Sequence, residues 1–380
     1  HIVGKRQMCI RDRIFTVLTS PDVPQATMWG HMPDTLKARD YTFSRPKLAA
    51  EVDNEDGTVN DHNETWSTFT WSGADKHCDI LPGMRQFGAL ATVVPTSVQD
   101  VAGWPMQGNF YWSSLAGMSG QHHAADVSNR SEAQKPDDTT FIVSCVDKEA
   151  PDVEPKLVLT PGSYDSTIKA MKVKVGEEAS LRLTITDSKN NDQPLAYYYF
   201  SLHLDDGINR KNQTDAAWET HPVQIDGGSN VRKVDAHTYE GITDANGEAT
   251  LTLTQPGGVG VKTHITARMR SDFTASDEKD VIFTVITSPD TDKARMWGHM
   301  LGIIEANNIF KRPRLADETD NELGSVRENN EDWALFDQNS SMQAECGLGH
   351  IPSQSSLHSL FAAHPANAIG TEYGLSLIHI

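Results

Sequence analysis

Ile14-Phe15-Thr16-Val17-Leu18-Thr19-Ser20-Pro21-Asp22 returns 268 positions later as Ile282-Phe283-Thr284-Val285-Ile286-Thr287-Ser288-Pro289-Asp290. The match continues without a gap from Met28-Trp29-Gly30-His31-Met32 to Met296-Trp297-Gly298-His299-Met300. A repeat with so long a period indicates duplicated whole domains, because solenoid units repeat every ~20–50 residues. The chain therefore belongs to a modular protein, and its function depends on the kind of module that is repeated.

The repeat extends further along the chain with weaker similarity, once a single residue is dropped. Phe43–Ala49 corresponds to Phe310–Ala316, and Trp66, Phe69 and Cys78 return as Trp333, Phe336 and Cys346. The best-matched part begins with a predicted strand of β-branched and aromatic residues, which ends at Ser-Pro-Asp. It continues into the start of a tryptophan-rich region. We therefore interpret it as the joint between two domain types, and a fixed angle at that joint is a hypothesis.

The two ends of the chain resemble a translated sequencing adapter. Met8–Arg13 and Leu375–Ile380 can be encoded by opposite strands of one short DNA, as expected for a translated sequencing adapter. Segments 1–13 and 375–380 are therefore interpreted as processing scars and are set aside in the domain assignment.

Composition limits the classes of function. A chain of 380 residues is long enough for two or three domains, each with its own core. The net charge of −19 repels phosphate backbones and anionic lipids, so we expect no nucleic-acid partner and no membrane contact by this fragment. The sequence has no apolar run of about eighteen residues, the length that a membrane-spanning helix needs.

The cysteines follow the repeat. Apart from Cys9 in the terminal segment, the chain has Cys78, Cys145 and Cys346, and Cys346 repeats Cys78. One pair for each complete module predicts a disulfide between Cys78 and Cys145, and hence an exported protein. The alternative is two unrelated buried thiols in a cytosolic protein.

The region between the repeats is predicted to be a β-sandwich. Leu181, Leu183 and Ile185 alternate with polar residues, as in a strand that buries one face. Asp244–Gly247 is a predicted turn before a strand that carries Ala249, Leu251 and Leu253 on one face. Further predicted strands are Lys156–Thr160, Pro194–Leu204, Lys262–Met269 and Lys279–Ile286. About seven short strands in roughly 130 residues are typical of two packed sheets.

The repeated module itself is less regular. We predict short strands at Thr65–Trp71 and Gly88–Val94, and a closing strand at Thr140–Val146. The polar stretch His122–Thr139 is expected to be an exposed loop.

At this point the residues carry a family resemblance. The turn Thr243-Asp244-Ala245-Asn246-Gly247-Glu248-Ala249, between alternating strands, resembles the bacterial Ig-like domains of intimin and invasin. Tryptophan-rich modules with one cysteine pair that alternate with such domains resemble the invasin-E-type adhesion domain of inverse-autotransporter adhesins of enterobacteria. The resemblance implies a mainly β chain, with an Ig-like β-sandwich flanked by loop-rich, C-type-lectin-like (α+β) adhesion modules. The expected domains are 14–23 (last strand of a preceding Ig-like domain), 24–147 (first module), 148–290 (middle domain) and 291–374 (second module, truncated).

The same resemblance implies a function and a location. It implies a cell-surface adhesin that attaches to host cells or neighbouring bacteria by non-covalent recognition, and it implies no enzymatic activity and no cofactor. The implied partners are a host-cell receptor, a glycan, the extracellular matrix or other bacteria. The implied location is the bacterial cell surface, anchored in the outer membrane through a region outside this sequence.

Candidate binding and joint residues are aromatic residues and histidines. Trp71, Trp104 and Trp112 lie in Gly- and Pro-containing stretches and are candidate ligand-contacting aromatics, although burial in the core is the competing interpretation. Trp29, His31, Trp297 and His299 are predicted to lie at the domain joints. Catalytic and metal-ligating residues are not predicted, because no clustered His, Cys or carboxylate pattern is present.

Two other classes of function stay open on the sequence alone. The chain fits a structural stalk whose modules act as spacers, and it also fits the accessory region of a secreted carbohydrate-active enzyme.

Overall fold

A computed structural model describes residues 14–93, 98–106, 110–127, 131–214, 223–269, 274–305, 309–337, 341–346, 350–364 and 368–375. These residues form two compact units, one built from residues up to 154 and the other from most residues that follow. The terminal segment 1–13, and 376–380 of the segment 375–380, lie outside the described residues, so their predicted adapter origin stays a prediction.

The first module is an α+β structure built from short paired strands and short helices. Strands β1 and β2 pair in parallel, β3–β4 and β5–β6 are antiparallel hairpins, and β7, β8 and β9 form one antiparallel sheet with β8 in the middle. The elements are β1 (Val17–Pro21), β2 (Gly30–Met32), β3 (Thr35–Ala38), β4 (Tyr41–Ser44), β5 (Gly57–Asp61), β6 (Glu64–Thr68), α1 (Trp71–His77), α2 (Met84–Val93), α3 (Val98–Ala102), β7 (Phe110–Ala116), β8 (Gln121–Asp126) and β9 (Ser131–Pro136).

Two predicted strands of this module are corrected by the structure. The predicted strand Gly88–Val94 is helical, because Phe87, Leu90 and Ala91 fall at helical spacing and are buried, and alanine favours helix. The predicted strand Thr65–Trp71 ends at Thr68. Trp71 begins α1 instead, since the Thr70 side chain caps that helix by accepting the N–H of Gly73.

The polar stretch His122–Thr139 was expected to be an exposed loop, and this prediction is wrong. Most of it forms the β8–β9 hairpin. Ala124 and Ala125 on consecutive positions are both buried, so the middle strand is covered on both faces. Small alanine side chains leave room for Trp112 on one face and Tyr111 on the other, which polar composition alone does not indicate. The predicted closing strand Thr140–Val146 is extended chain with isolated bridges at Phe141, Ile142 and Val146.

The middle domain is the predicted two-sheet sandwich. One sheet has the order β10-β12-β18-β15 and the other β11-β20-β19-β14-β17-β16. The inward set Leu181, Leu183 and Ile185 is fully buried, as the alternation predicted. Its strands are β10 (Pro155–Pro161), β11 (Ala170–Lys174), β12 (Ala179–Asp187), β13 (Gln193–Pro194), β14 (Tyr199–Leu204), β15 (Gln224–Asp226), β16 (Val231–Lys233), β17 (Thr238–Ile242), β18 (Glu248–Thr254), β19 (Val261–Met269) and β20 (Ser276–Pro289).

The predicted turn of the middle domain is present in the structure. The carboxylate of Asp244 accepts the N–H groups of Asn246 and Glu248 at 2.8 and 2.9 Å, which closes the turn between β17 and β18. Gly247 adopts a φ of 72°, which favours glycine. The predicted strand Pro194–Leu204 is divided, because Tyr197 has a left-handed φ of 66° between β13 and β14.

The second module repeats the elements of the first from β2 to α3. Its elements are β21 (Gly298–Met300), β22 (Ile303–Glu305), β23 (Ile309–Lys311), β24 (Gly324–Glu328), β25 (Glu331–Leu335), α4 (Ser341–Cys346), α5 (Gln354–Ala363) and α6 (Ala368–Tyr373). They match β2 to β6 and α1 to α3 in order. Leu315, Trp333, Leu360 and Leu375 share one core, so Leu375 packs with the module although the sequence placed it in the excluded terminal segment.

Candidate functional site

The joint between the middle domain and the second module is built on one long strand. β20 runs for 14 residues, pairs with β19 and β11 inside the sandwich, and then pairs in parallel with β21 at Val285↔Gly298 and Pro289↔Met300. A Cβ atom on Gly298 would lie 1.9 Å from the carbonyl oxygen of Ser288. Only glycine therefore allows the two backbones to approach in this way.

A buried carboxylate holds the loop that connects these two strands. Glu331 accepts hydrogen bonds from Ser288 Oγ at 2.7 Å, from the Arg295 N–H at 2.8 Å and from the Met296 N–H at 2.6 Å. Burial raises the pKa of Glu331, and the three hydrogen bonds oppose that rise because they favour the ionised form. One side chain thus fixes the end of β20 and the start of the second module together.

The first copy of the joint uses the same carboxylate. Glu64 accepts hydrogen bonds from Ser20 Oγ at 2.6 Å and from the N–H groups of Thr27 and Met28, both at 2.9 Å. The sequence prediction missed Glu64 and Glu331. A signal existed, since each lies two positions before a tryptophan of the repeat, Trp66 or Trp333.

A charged cluster ties the middle domain to the same joint. Asp290 receives the ammonium of Lys172 at 2.5 Å on Oδ2 and the guanidinium of Arg210 on Oδ1. The guanidinium also lies 4.5 Å from the ring centroid of Trp297, at cation–π distance. Partial burial alone would raise the pKa of Asp290, but the bond to Lys172 and the two positive charges hold it below its ordinary value. Asp290, Lys172, Arg210 and Trp297 are called the Asp290 cluster below.

Trp297 and His299, two of the predicted joint residues, both contact the middle domain. The carbonyl of Trp297 accepts the N–H of Val285 at 2.9 Å, and a Cβ on Gly260 would lie 2.0 Å from that carbonyl oxygen. Nδ1 of His299 lies 2.9 Å from Thr284 Oγ1. Burial and the charge of Lys174 lower the pKa of His299, so its imidazole is neutral at neutral pH.

The corresponding residues of the first copy lie in another environment. The carbonyl of Trp29 again accepts an N–H of the preceding strand, from Val17 at 2.9 Å. Trp29 is 66% exposed, and His31 is exposed as well.

Of the three candidate ligand-contacting aromatics, two are core residues. Trp104 is fully buried and stacks on Tyr111, while Trp112 is fully buried and donates its indole N–H to the carbonyl of Phe69 at 2.7 Å. Neither offers a surface to a ligand in this structure. The competing interpretation, burial in the core, holds for both, because each packs among other buried aromatic side chains of the module.

Trp71 lies at the edge of the module and is half-buried. Its ring stacks on the imidazole of His122, with ring centroids 3.5 Å apart and planes 10° apart. Nδ1 of His122 lies 2.7 Å from Asp137 Oδ1, and Asp137 donates its N–H to the carbonyl of Gly120. Met118, which lies four residues before His122 between β7 and β8, is 67% exposed. Trp71, Met118, His122 and Asp137 are called the Trp71 rim below.

The predicted disulfide is present. Cys78 at the end of α1 is bonded to Cys145 across a separation of 67 residues. Cys346, which repeats Cys78, is a free and exposed thiol.

Among the residues that the structure describes, no group of three or more His, Cys, Asp or Glu side chains is arranged to hold a metal ion. Within the same part of the chain, no helix has the length and apolar character that crossing a membrane requires.

Two family models match parts of the chain. A family model described as an adhesion domain matches residues 21–146 and again 289–377, and the model for bacterial immunoglobulin-like domain 21 matches residues 176–286. The chain belongs to the adhesion-domain family. It is thus of the cell-surface adhesin class, of the intimin and invasin kind, with a bacterial Ig-like domain between two adhesion modules.

Solved structures of an adhesin and of intimin resemble the chain at low sequence identity. The Yersinia pseudotuberculosis adhesin InvE is 23% identical with a TM-score of 0.48, covering 88% of this chain and 72% of its own. The D00–D0 domain of intimin is 14% identical with a TM-score of 0.22, covering 43% of this chain and 62% of its own. None of the curated proteins matches the chain. The family assignment rests on the two family models alone.

Proposed function

We propose that this chain is part of a bacterial surface adhesin that attaches the cell to host cells or to neighbouring bacteria by non-covalent recognition. The observation that carries the proposal is the pair of adhesion-domain matches at 21–146 and 289–377. Its partner is a host receptor, a glycan, the extracellular matrix or another bacterium, and its anchor lies in the outer membrane. Two recognition modules on one chain would strengthen attachment through multivalency.

The Trp71 rim is the part of the first module best suited to recognition. It combines an aromatic ring, an imidazole and a carboxylate with an exposed thioether, and hot spots of interfaces are enriched in tryptophan. The β7–β8–β9 sheet and the disulfide hold these side chains on a rigid scaffold, so little conformational entropy is lost on binding.

The test is attachment of the intact, oxidised chain to epithelial cells, matrix-coated surfaces and glycan arrays. Trp71→Ala and Met118→Ser are each expected to weaken attachment roughly tenfold, as for a binding hot spot. Val101→Ala is the matched control, because Val101 is an exposed apolar side chain on α3. Attachment that survives both rim variants would overturn the assignment of the rim.

A structural stalk is the second candidate function. It is favoured by the joint, where a shared strand, a buried carboxylate and the Asp290 cluster connect adjacent domains. A chain that attaches to none of these surfaces would support the stalk and overturn recognition by these modules.

A further inference from the structure

A cation lies beside the Trp71 rim on the same face of the β7–β8–β9 sheet. Lys135 on β9 is the direct cross-strand partner of His122 on β8, and side chains paired in this way point to the same face. The Lys135 ammonium lies 4.1 Å from the ring centroid of Phe110, at cation–π distance. The rim therefore continues from Trp71 and His122 to a positive charge held over a further aromatic ring.

Among the described residues, the Lys135 ammonium has no counter-ion, although the chain carries a net charge of −19. The carboxylate of the rim, Asp137, lies 2.7 Å from Nδ1 of His122 instead. An aromatic ring attracts a cation through its quadrupole and does not neutralise it. The positive charge of Lys135 is therefore available to an anion from outside the chain.

The imidazole of His122 is held in one orientation. Trp71 stacks on it, and its Nδ1 faces Asp137 Oδ1. Because a carboxylate accepts the Nδ1–H, the neutral imidazole presents the lone pair of Nε2 as an acceptor. Nε2 has no partner among the described residues, so it can accept a hydroxyl group of a ligand.

The aromatic rings around these polar groups are recessed. Trp71, Phe110 and Phe141 are half-buried and pack against one core cluster, so only part of each ring reaches solvent. A protein partner would need about 800 Å² of surface on each side and protruding aromatic anchors. Recessed rings beside a few fixed polar groups are typical of a site for a small ligand.

We propose that the Trp71 rim and Lys135 together bind a saccharide that carries a carboxylate, as sialic and uronic acids do. The Lys135 ammonium pairs with the carboxylate of the ligand, and Nε2 of His122 accepts one of its hydroxyl groups. Trp71 and Phe110 contact the C–H groups of the sugar ring. This inference rests on the proposed function, because it names the ligand chemistry of the same surface.

The test is binding of the intact, oxidised chain to a glycan array. The array carries oligosaccharides that end in sialic or glucuronic acid, the methyl esters of the same compounds, and neutral oligosaccharides of equal length. The acids are expected to bind about tenfold more tightly than their esters, because only the acids form a charge-assisted bond. Equal binding of acids and esters would overturn the proposal.

Salt gives a second measurement on the same array. Binding to the acids is expected to weaken from about 50 to about 300 mM sodium chloride, because the partly exposed ion pair is screened. Binding that does not change with salt would count against a role for the Lys135 charge.

Matched variants assign the charge to one residue. Lys135→Gln is expected to weaken binding to the acids about tenfold, while Lys135→Arg retains it. Lys148→Gln is the control, because Lys148 also lies over a ring of the first module, 5.5 Å from the centroid of Tyr41, and its loss removes the same charge. Thermal unfolding checks that each variant is folded. Equal losses in Lys135→Gln and Lys148→Gln would assign the effect to net charge and overturn the site.

Failure of this inference is distinguishable from failure of the proposed function. Attachment that depends on Trp71, but is the same for Lys135→Gln and for esterified glycans, would keep the rim as a recognition surface and overturn the acidic saccharide. Attachment to matrix proteins without binding to any glycan would overturn it as well. A chain that attaches to no surface would overturn both.

Discussion

Glu64 and Glu331 each place a carboxylate where almost no solvent reaches. Burying such a group without partners is costly, but each accepts one hydroxyl and two backbone N–H groups. The backbone donors belong to a loop of no regular structure, which would leave them unpaired without the carboxylate. A single residue therefore fixes where the module begins relative to the strand before it.

Replacing Glu331 with alanine is expected to destabilise the second module by roughly 3 kcal/mol, since it leaves buried donors unsatisfied. The measurement is hydrogen exchange of β25 in increasing denaturant. Asp332→Ala is the control, because its ion pair with Arg327 is exposed and surface pairs contribute less than about 1 kcal/mol. Equal effects of the two substitutions would contradict the role of Glu331.

Residue charges also predict a pH dependence for the middle domain. A hydrogen bond to Asp280 raises the pKa of His264, which outweighs the effect of burial. Burial works in the other direction for Asp280, but Lys262 and His264 lower its pKa overall. Because its folded-state pKa is raised, His264 stabilises the fold below the unfolded value of 6.5. This stabilisation is lost as pH rises through the folded-state pKa. Because its folded-state pKa is lowered, Asp280 stabilises the fold above the unfolded value of 3.8, and this stabilisation is lost as pH falls through the folded-state pKa.

We therefore expect the pair to stabilise the middle domain most between about pH 4 and 6.5. The free energy of unfolding of the middle domain, measured in denaturant and followed at β19, should decline above that window. In His264→Asn, the decline should be absent, while His203→Asn, at an exposed position of β14, should keep it. A decline that persists unchanged in His264→Asn would assign it to other groups.

At the scale of elements, close backbone contacts decide where the helices of each module lie. Gly103 follows α3 and Gly374 follows α6, with φ of 73° and 72°. A Cβ on Gly103 would lie 1.9 Å from Leu18 O, and one on Gly374 would lie 2.0 Å from Ile286 O. The end of the helical segment thus rests directly on the joint strand in both copies.

Gly374→Ala is expected to cost the second module roughly 3 kcal/mol, because it combines left-handed strain with a backbone collision. Gly258→Ala is the matched control. It has a φ of 70° but open space around its Cβ, so only the conformational cost of about 1 kcal/mol remains. Urea unfolding of both variants measures the difference, and similar losses would show that close approach is unimportant.

The elements also show how far the sequence predicts the fold. The sandwich, its turn at Asp244–Gly247 and the Cys78–Cys145 disulfide followed from alternation, turn chemistry and cysteine pairing. Helix α2 and the β8–β9 hairpin did not, because their short segments are stabilised by burial within the module rather than by local pattern. The sequence did not show that α5 and α6 repeat α2 and α3, since the buried positions recur there with few identical residues.

The Asp290 cluster was missed for a related reason. Lys172 and Arg210 lie in different parts of the middle domain and carry no motif in the sequence. They meet Asp290 only after β11 pairs with β20 and the loop around Arg210 folds over the joint. The sequence could show that Trp297 lies near a boundary, but the residue that contacts it depends on tertiary structure.

At the scale of the whole chain, the middle domain and second module share β20. Denaturing one should therefore expose part of the other, and we expect both to unfold in one transition. Hydrogen exchange in β19 and in β25 measures the unfolding of the two domains. The double variant Arg210→Ala/Asp290→Ala should separate the transitions, with the second module opening first. Arg182→Ala should leave them coupled, and two separate transitions in the unmodified chain would contradict the coupling.

The shared strand has a further consequence when the chain is pulled. Tension along β20 acts parallel to the strand, across its hydrogen bonds with β11, β19 and β21. Bonds loaded in shear must break together, whereas bonds at the end of a hairpin break one after another. Since forced unfolding depends on the unfolding rate rather than on equilibrium stability, this joint is expected to be mechanically strong under shear flow. A force that passes along the chain at this joint would therefore be carried by that strand.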